Sequence, residues 1–173
     1  IASGFHHVRV AKTDRHKTAF VTKFDQYQWI VMPFGLKNAP IVFQRIVWGI
    51  LRKYKLNRFA HNYIDDIIIY SRTFENHLEH IESVMKALQM EGIKLKKSKC
   101  HFVKKEIKYL GHQISVNKIE PLTDNIKAIL NVKPPTTTRG VKAFLGQVNY
   151  YHRFIPNRAT LLHPLYELTS KGV

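Results

Sequence analysis

The sequence contains few acidic residues and only one cysteine. Its 173 residues include 12 aspartates and glutamates against 28 lysines and arginines, so the formal net charge is +16. The single thiol, Cys100, excludes an internal disulfide and a thiolate zinc site and indicates a reducing compartment. No apolar run approaches the roughly 20 residues of a membrane span, and no signal peptide is visible. We therefore expect neither a disulfide-stabilised secreted domain nor a membrane protein.

The positive charge is distributed unevenly along the chain. The first 64 residues contain eleven lysines and arginines but only two acids, Asp14 and Asp25, and the segment 94–108 contains seven lysines and one acid, Glu106. An excess of this size, with a pI of about 10.0, predicts a polyanionic partner, of which nucleic acid is the first candidate. A protein that is merely soluble and basic is the alternative, and the uneven placement argues against it.

Hydrophobic periodicity and punctuation by proline and glycine predict a mixture of short strands and helices. Strands are expected at 5–10, 18–24, 26–31, 100–103, 107–110 and 112–116. Helices are expected from Ile41 to about Tyr54, from a Thr73 cap to Gly92, between Pro121 and Pro134, and after a Thr138 cap. The strands and helices do not alternate regularly. This predicts an α+β fold, with an antiparallel sheet backed by helices and a small helical module at the C-terminus.

Two adjacent carboxylates, Asp65 and Asp66, follow Tyr63 and Ile64 at the start of an apolar segment, 67–70. Neighbouring acids disfavour each other's charged form, and burial disfavours it further, unless a cation lies between them. A bound divalent ion favours both charges, and Mg²⁺ takes carboxylate oxygens together with water and substrate phosphates. The pair therefore predicts a metal site for phosphate chemistry, with both aspartates as catalytic residues and metal ligands.

An inert hairpin turn is the alternative for this pair, because aspartate is common in turns and a solvated pair carries no function. Residues 59–63 can be read as alternating, and residues 67–69 are all β-branched, as in a strand buried on both faces. This pattern predicts a hairpin with both acids at its tip. Because neighbouring side chains on a strand point to opposite faces, we expect Asp65 to be the main ligand and Asp66 the weaker one.

Several blocks of the sequence resemble the reverse transcriptases of retroviruses and LTR retrotransposons, nearest the gypsy type. The blocks are Ser3–His7, Val31–Pro40 followed by Phe43-Gln44, Tyr63–Asp66, Tyr109–His112 and Phe144–Pro156. They resemble, in this order, the segment after the family's first catalytic aspartate, the loop and helix under the incoming nucleotide, the YxDD box, the primer grip and the start of the thumb. Their order and spacing agree with the family over essentially the whole chain.

The resemblance implies part of a right-hand polymerase from a Pol polyprotein. Residues 1–120 would form fingers and palm, with the fingers piece near 8–38, and residues 121–173 would begin a small helical thumb. The implied activity is RNA-directed DNA synthesis, a nucleotidyl transfer that adds dNTPs to a primer 3′-OH with Mg²⁺, or with Mn²⁺ in its place. The implied partners are an RNA template, a DNA primer or RNA/DNA hybrid, and the protease, RNase H and integrase of the same polyprotein. The implied location is intracellular, in a cytoplasmic virus-like particle or the nucleus.

The resemblance also assigns roles to individual residues. The two carboxylates would hold two metal ions, roughly 3.5–4 Å apart, that activate the attacking oxygen and stabilise the leaving pyrophosphate. Phe5 would block a ribose 2′-OH, with an ordinary core phenylalanine as the alternative. The implied substrate-binding residues are Phe5, Phe34, Gly35, Gln44 and Tyr63. The implied primer-grip residues are Leu110, Gly111 and His112.

The sequence departs from the family pattern at its start. The family's first catalytic aspartate is expected immediately before Ile1, and the fingers lysine and arginine that hold the triphosphate are expected farther upstream. The chain also opens without an initiator methionine. We therefore expect a piece of a longer protein that polymerises poorly or not at all by itself. A domesticated or decayed copy that acts only as a nucleic-acid-binding module is the alternative, and the two intact acids favour the enzyme.

Overall fold

The chain divides into two units, Ile1–Val103 and Lys104–Val173, in a computed structural model that describes residues 1–170. The helices and strands of the first unit are β1 (Phe20–Val21), β2 (Gln26–Tyr27), α1 (Ala39–Lys53), β3 (Ala60–Tyr63), β4 (Asp66–Ile69) and α2 (Phe74–Met90). Those of the second unit are β5 (Ile107–Tyr109), β6 (His112–Ser115), β7 (Lys118–Pro121), α3 (Thr123–Leu130), α4 (Thr138–Tyr150) and α5 (Arg158–Glu167). Strands β1 and β2, β3 and β4, and β5 to β7 form three small antiparallel sheets.

Helix α1 forms the centre of the first unit. Pro40 lies in its first turn, where the missing N–H is tolerated. Its apolar side chains recur on one face, so that Phe43, Val47 and Leu51 are fully buried. This face packs in one core with buried residues of α2, among them Leu88, and with residues of the β3–β4 hairpin. The helix predicted from the sequence is thus confirmed to within two residues at each end.

Helix α2 begins where the sequence predicts. The Thr73 hydroxyl accepts a hydrogen bond from the Asn76 N–H at 3.2 Å, which satisfies one of the free donors of the first turn. The helix also contacts the end of the hairpin that precedes it. The His80 ring stacks on Phe59 with centroids 3.5 Å apart, and its Nδ1 lies 2.7 Å from the Ser71 hydroxyl. These contacts hold α2 against the acidic hairpin.

The second unit packs its helices around a small core of its own. Val141, Leu145 and Val148 of α4 are buried with Leu162 of α5. The helix cap lies one residue before the predicted one, because the Thr137 hydroxyl accepts from the Gly140 N–H at 3.1 Å. Strand β7 and helix α5 were not predicted from the sequence. Helix α5 contains a proline and has no clear apolar stripe, so periodicity gives no signal for it.

Three strand predictions are corrected by the structure. Residues 5–10 begin inside a 3₁₀ helix, Gly4–His7, because the His7 ring bonds back to the Gly4 carbonyl; only Arg9 then bridges to Val31. Residues 100–103 form no strand, since no neighbouring segment pairs with them. Strand β4 is only partly buried, because Ile67 and Ile69 on one face pack against the core, whereas Ile68 on the other face is not among the residues that do.

The predicted boundary between palm and thumb, at 120/121, lies inside the second unit, at the end of β7. It concerns functional subdomains rather than compact units and stays a prediction. Within residues 1–170, no helix combines the length and apolar character needed to span a membrane.

Candidate active site

The two carboxylates lie at the tip of the β3–β4 hairpin, which confirms the position predicted for them. Tyr63 of β3 pairs with Asp66 of β4, so Ile64 and Asp65 form a two-residue turn between them. Asp65 is half-buried, whereas Asp66 and Tyr63 are exposed. Although the two acids are adjacent in sequence, the turn gives them different surroundings.

The turn has a strained backbone. Ile64 has a φ of +52°, in the left-handed region that a β-branched residue rarely adopts. Strain of this kind costs of order 1–3 kcal/mol and persists only where the surroundings enforce the conformation. The side chain of Gln44 on α1 supplies this restraint, since its Oε1 accepts from the Ile64 N–H at 2.5 Å.

Gln44 also holds the strand that leads into the turn. Its Oε1 accepts from Asn62 Nδ2 at 3.1 Å, and its Nε2 donates to the Asn62 carbonyl at 3.1 Å. Asn62 is itself buried. The substrate-binding role expected for Gln44 stays a prediction, and this structural role was not predicted from the sequence. The sequence signal that could have indicated this role is a polar side chain directly after Phe43, close to the buried face of an amphipathic helix.

One oxygen of Asp65 has no partner. Its Oδ1 is buried and accepts no hydrogen bond within residues 1–170. Gly4 lies directly against it: a Cβ added there would collide with Asp65 Oδ1 and lie 2.8 Å from the Phe43 ring. Only glycine therefore allows the 3₁₀ helix to approach the carboxylate this closely. A buried anionic oxygen without a donor is unfavourable, and a hard cation would satisfy it.

The two carboxylates are not joined by a third potential metal-binding side chain among the described residues. No group of three or more histidine, cysteine, aspartate or glutamate side chains is arranged to hold an ion within residues 1–170. The hairpin therefore contributes two carboxylates as possible ligands. The backbone nitrogen of Ile1 donates to the Asp65 carbonyl at 3.1 Å, so the start of the chain lies against the same turn.

Aromatic residues lie beside this region. Phe5 directly follows Gly4, and its ring packs 5.3 Å from Phe34 and 5.9 Å from Phe43, measured between centroids. Phe34 is 66% exposed, and Gly35, with a φ of +92°, has open space where a side chain would be. Phe5 is thus partly a core residue, as the alternative interpretation expected, and partly the base of an exposed aromatic surface.

The predicted primer-grip residues lie in the second unit, where they form the tip of the β5–β6 hairpin. Tyr109 pairs with His112, so Leu110 and Gly111 form a two-residue turn. Their φ angles of +45° and +70° are those of a type I′ turn, in which both central residues are left-handed. Glycine suits this conformation and leucine does not, so the turn needs support from its neighbours.

Comparisons with known proteins agree with this fold. A family model described as reverse transcriptase (RNA-dependent DNA polymerase) matches residues 1–114. The Pol polyprotein of transposon 297 from Drosophila melanogaster is 41% identical over 171 residues, which cover 99% of this chain and 16% of that polyprotein. The transposon Tf2-3 polyprotein from Schizosaccharomyces pombe is 35% identical over 173 residues, which cover 100% of this chain and 13% of that polyprotein. The chain thus spans about a sixth or less of the length of these relatives.

Solved structures of foamy viral protease-reverse transcriptase share the fold. The form in complex with double-stranded DNA superposes with a TM-score of 0.88 at 27% identity, covering 100% of this chain and 30% of that one. The complex with RNA/DNA hybrid has a TM-score of 0.80 at 27% identity, and the match covers 100% of this chain and 23% of that one. The predicted α+β polymerase fold is therefore confirmed. Because the family model covers well over half of its residues, this chain belongs to the reverse transcriptase family of RNA-dependent DNA polymerases, in the form found in retrotransposon Pol polyproteins.

Proposed function

We propose that this chain contributes the catalytic acid pair and the primer-binding turn of a polymerase that adds dNTPs to a primer 3′-OH. One observation carries the proposal: two carboxylates stand at the tip of a hairpin, and Asp65 Oδ1 is buried there without a donor. The related foamy viral structures are complexes with double-stranded DNA and with an RNA/DNA hybrid. These complexes support a DNA primer on an RNA or DNA template as the substrate.

Asp65 and Asp66 are the residues that hold Mg²⁺, or Mn²⁺ in its place, in this proposal. Carboxylate oxygens are the ligands such hard cations prefer, and the unpaired Asp65 oxygen makes it the main ligand. Asp66 is exposed at the start of β4 and is the weaker one. When bound, a pair of these ions activates the primer hydroxyl and stabilises the charge of the leaving pyrophosphate.

A third carboxylate is expected from the residue before Ile1. The Ile1 nitrogen lies 3.1 Å from the Asp65 carbonyl, and a peptide N–H at this position can make the same hydrogen bond. An aspartate attached there would be covalently tied to a residue that touches the turn. The chain without it is therefore proposed to bind nucleic acid but to polymerise poorly or not at all.

The aromatic residues beside the turn are proposed to form the nucleotide pocket. Phe5 is held between Phe34 and Phe43, so its ring can act as a rigid wall against a ribose 2′-OH. Phe34 and Gly35 are exposed on the open side and would contact the nucleotide. Tyr63, exposed next to Asp66, completes the proposed set.

The remaining partners follow from the polyprotein relatives. We propose that protease, RNase H and integrase accompany this chain in one polypeptide, and that it acts in a cytoplasmic virus-like particle or the nucleus. A binding module without catalysis is the second candidate function, favoured only by the absence, within residues 1–170, of a third carboxylate grouped with Asp65 and Asp66.

The test of catalysis uses this chain extended upstream through the expected aspartate. Asp65→Asn should lower metal-dependent primer extension by at least about 100-fold, because Asn keeps the shape but loses the charge that holds the ions. Asp66→Asn should lower it less. Binding of Mn²⁺, followed by electron paramagnetic resonance, should weaken in the same order.

Asp14→Asn serves as the matched control, because it removes an aspartate that pairs with Lys17 and lies outside the proposed site. It should leave extension and Mn²⁺ binding unchanged. An extended wild type that folds, binds primer and template, and extends no primer with either metal would favour the binding module. Equal extension by Asp65→Asn and wild type would refute the proposed site.

A further inference from the structure

Two consecutive tyrosines at the end of α4 hold the tip of the β5–β6 hairpin. The Tyr150 hydroxyl donates to the Leu110 carbonyl at 2.8 Å, and the Tyr151 hydroxyl donates to the Gly111 carbonyl at 3.2 Å. Each tyrosine thus binds one of the two central residues of the turn. These pairs are 40 residues apart in sequence. We refer to Tyr150 and Tyr151 together as the tyrosine clamp.

Both carbonyls of the turn also accept a second hydrogen bond. His112 Nδ1 lies 2.6 Å from the Leu110 oxygen, and because a carbonyl only accepts, this nitrogen must carry the proton. The Leu122 N–H donates to the Gly111 oxygen at 3.0 Å. A carbonyl oxygen has two lone pairs, so both oxygens are fully used. The turn is therefore fixed from α4, from β6 and from the segment before α3.

The turn N–H groups are left without acceptors. Neither the Leu110 N–H nor the Gly111 N–H donates to any group within residues 1–170. A turn whose carbonyls are occupied and whose amides are free presents donors, which is the arrangement that binds an anionic oxygen. A phosphodiester of the primer has such oxygens.

The same tyrosines fix the His112 ring. Its centroid lies 5.6 Å from the Tyr150 ring, 5.5 Å from the Tyr151 ring and 5.6 Å from the Phe154 ring. The Tyr151 hydroxyl in turn accepts from Asn125 Nδ2 at 2.8 Å, so the clamp is itself anchored to α3. Leu110 has a left-handed backbone conformation that is unfavourable for leucine. The hydrogen bonds to its carbonyl and the packed rings around His112 stabilise this conformation.

We propose that Tyr150 and Tyr151 are positioning residues for the primer: they hold the Leu110–His112 turn in the conformation that contacts the primer backbone. The inference rests on the proposed function of that turn and adds the residues that set its geometry. The tyrosines act through the turn and do not touch the reacting atoms. Removal of the clamp should therefore loosen the primer and leave the nucleotide pocket unchanged.

The decisive variant is Tyr150→Phe, which removes one hydroxyl and keeps the ring. Tyr150 is 54% exposed, so the loss should not unfold the unit. In the 173-residue chain, hydrogen exchange of the Leu122 N–H, which donates to the Gly111 carbonyl, should speed up, and exchange in α4 should stay unchanged. In the chain extended upstream, the KM for primer–template should rise about three- to tenfold, as expected for one lost hydrogen bond, with an unchanged KM for dNTP. Tyr166→Phe, in α5 of the same unit, is the control and should change neither the hydrogen exchange nor the KM for primer–template.

Tyr151→Phe is the second variant. Because Tyr151 is only 6% exposed and bonds to Asn125, it should show the same effects together with lower thermal stability. If the extended wild type extends no primer, the proposed function fails; the clamp is then judged from exchange of the Leu122 N–H and from affinity for a duplex with a recessed 3′ end. Unchanged exchange in Tyr150→Phe would overturn the inference. Faster exchange with unchanged primer affinity would also overturn it, because the role would then be structural only.

Discussion

Gln44 is a single side chain on which the shape of the acidic turn depends. Its amide makes hydrogen bonds to the backbone of Ile64 and to both the side chain and backbone of Asn62. Because Ile64 is held in a left-handed conformation, the turn would relax if the amide were lost. The position of the Asp65 carboxylate therefore depends on a residue that carries no charge.

Replacement of Gln44 by leucine tests this dependence. Gln44→Leu keeps the size of the side chain but removes its hydrogen bonds to the Ile64 N–H and to Asn62, whose amide keeps only the Gln44 backbone carbonyl at 3.4 Å. The free energy of unfolding should therefore fall by about 1–3 kcal/mol. Urea unfolding followed by circular dichroism measures the change. Gln89→Leu, at an exposed position of α2, is the control and should have little effect. Equal stability of Gln44→Leu and wild type would show that the amide does not hold the turn.

At the scale of helices, two hydrogen bonds to Glu91 join the C-terminal ends of α1 and α2. Lys53 Nζ donates to Glu91 Oε1 at 2.6 Å, and the Tyr54 hydroxyl donates to the same oxygen at 2.9 Å. The hydrogen bond from Lys53 is the main reason why the pKa of Glu91 lies below its ordinary value, with a further contribution from Tyr54. The same hydrogen bond raises the pKa of Lys53.

This contact predicts a pH-dependent contribution to stability. A carboxyl whose pKa is lowered by folding stabilises the protein above its ordinary pKa, and this stabilisation is lost as the pH falls through the lowered value. Glu91→Gln should therefore have a slightly lower Tm than wild type at pH 7, and the two Tm values should converge in acid, as the pH falls through the lowered pKa of Glu91. Glu79→Gln, an exposed glutamate of α2 that forms no ion pair within residues 1–170, is the control and should show no such convergence. A Tm difference that stays constant with pH would contradict the prediction.

At the scale of the whole chain, positive charge is the dominant property. The net charge of +16 is far larger than that of an ordinary enzyme of this length, and the 64 residues that precede Asp65 contain only two acids. Such a charge favours contacts with phosphates, which are made without reading sequence. The proposed catalytic acids, Asp65 and Asp66, therefore lie in a chain whose net charge attracts polyanions.

Binding of the 173-residue chain to duplex or hybrid nucleic acid should be insensitive to sequence and strongly dependent on salt. Each phosphate neutralised should add about −0.9 to the slope of log affinity against log salt on duplex DNA. Fluorescence anisotropy in a series of KCl concentrations measures this slope. Lys97→Gln should make it shallower if Lys97 contacts a phosphate, whereas Lys86→Gln, whose lysine already pairs with Glu82, should not. A flat salt dependence would exclude phosphate contacts as the main source of affinity.

The sequence by itself determined the features that depend on neighbours within a few residues. Apolar spacing along α1 located that helix, and the Thr73 hydroxyl marked the start of α2. The alternation before Asp65 and the β-branched run after Asp66 located the hairpin and put both acids at its tip. The net charge of +16 follows from the composition alone.

Only the tertiary structure decided how these elements act on one another. Gln44 meets a turn 20 residues away, and Tyr150 meets Leu110 across 40 residues. Gly4 lies against Asp65 and leaves one of its oxygens buried and unpaired, although the two residues are far apart in sequence. Periodicity reports which face of a helix or strand is buried, but it carries no information about which distant side chain covers that face. The path of the chain sets those contacts, and they give Asp65 and its neighbour Asp66 different surroundings.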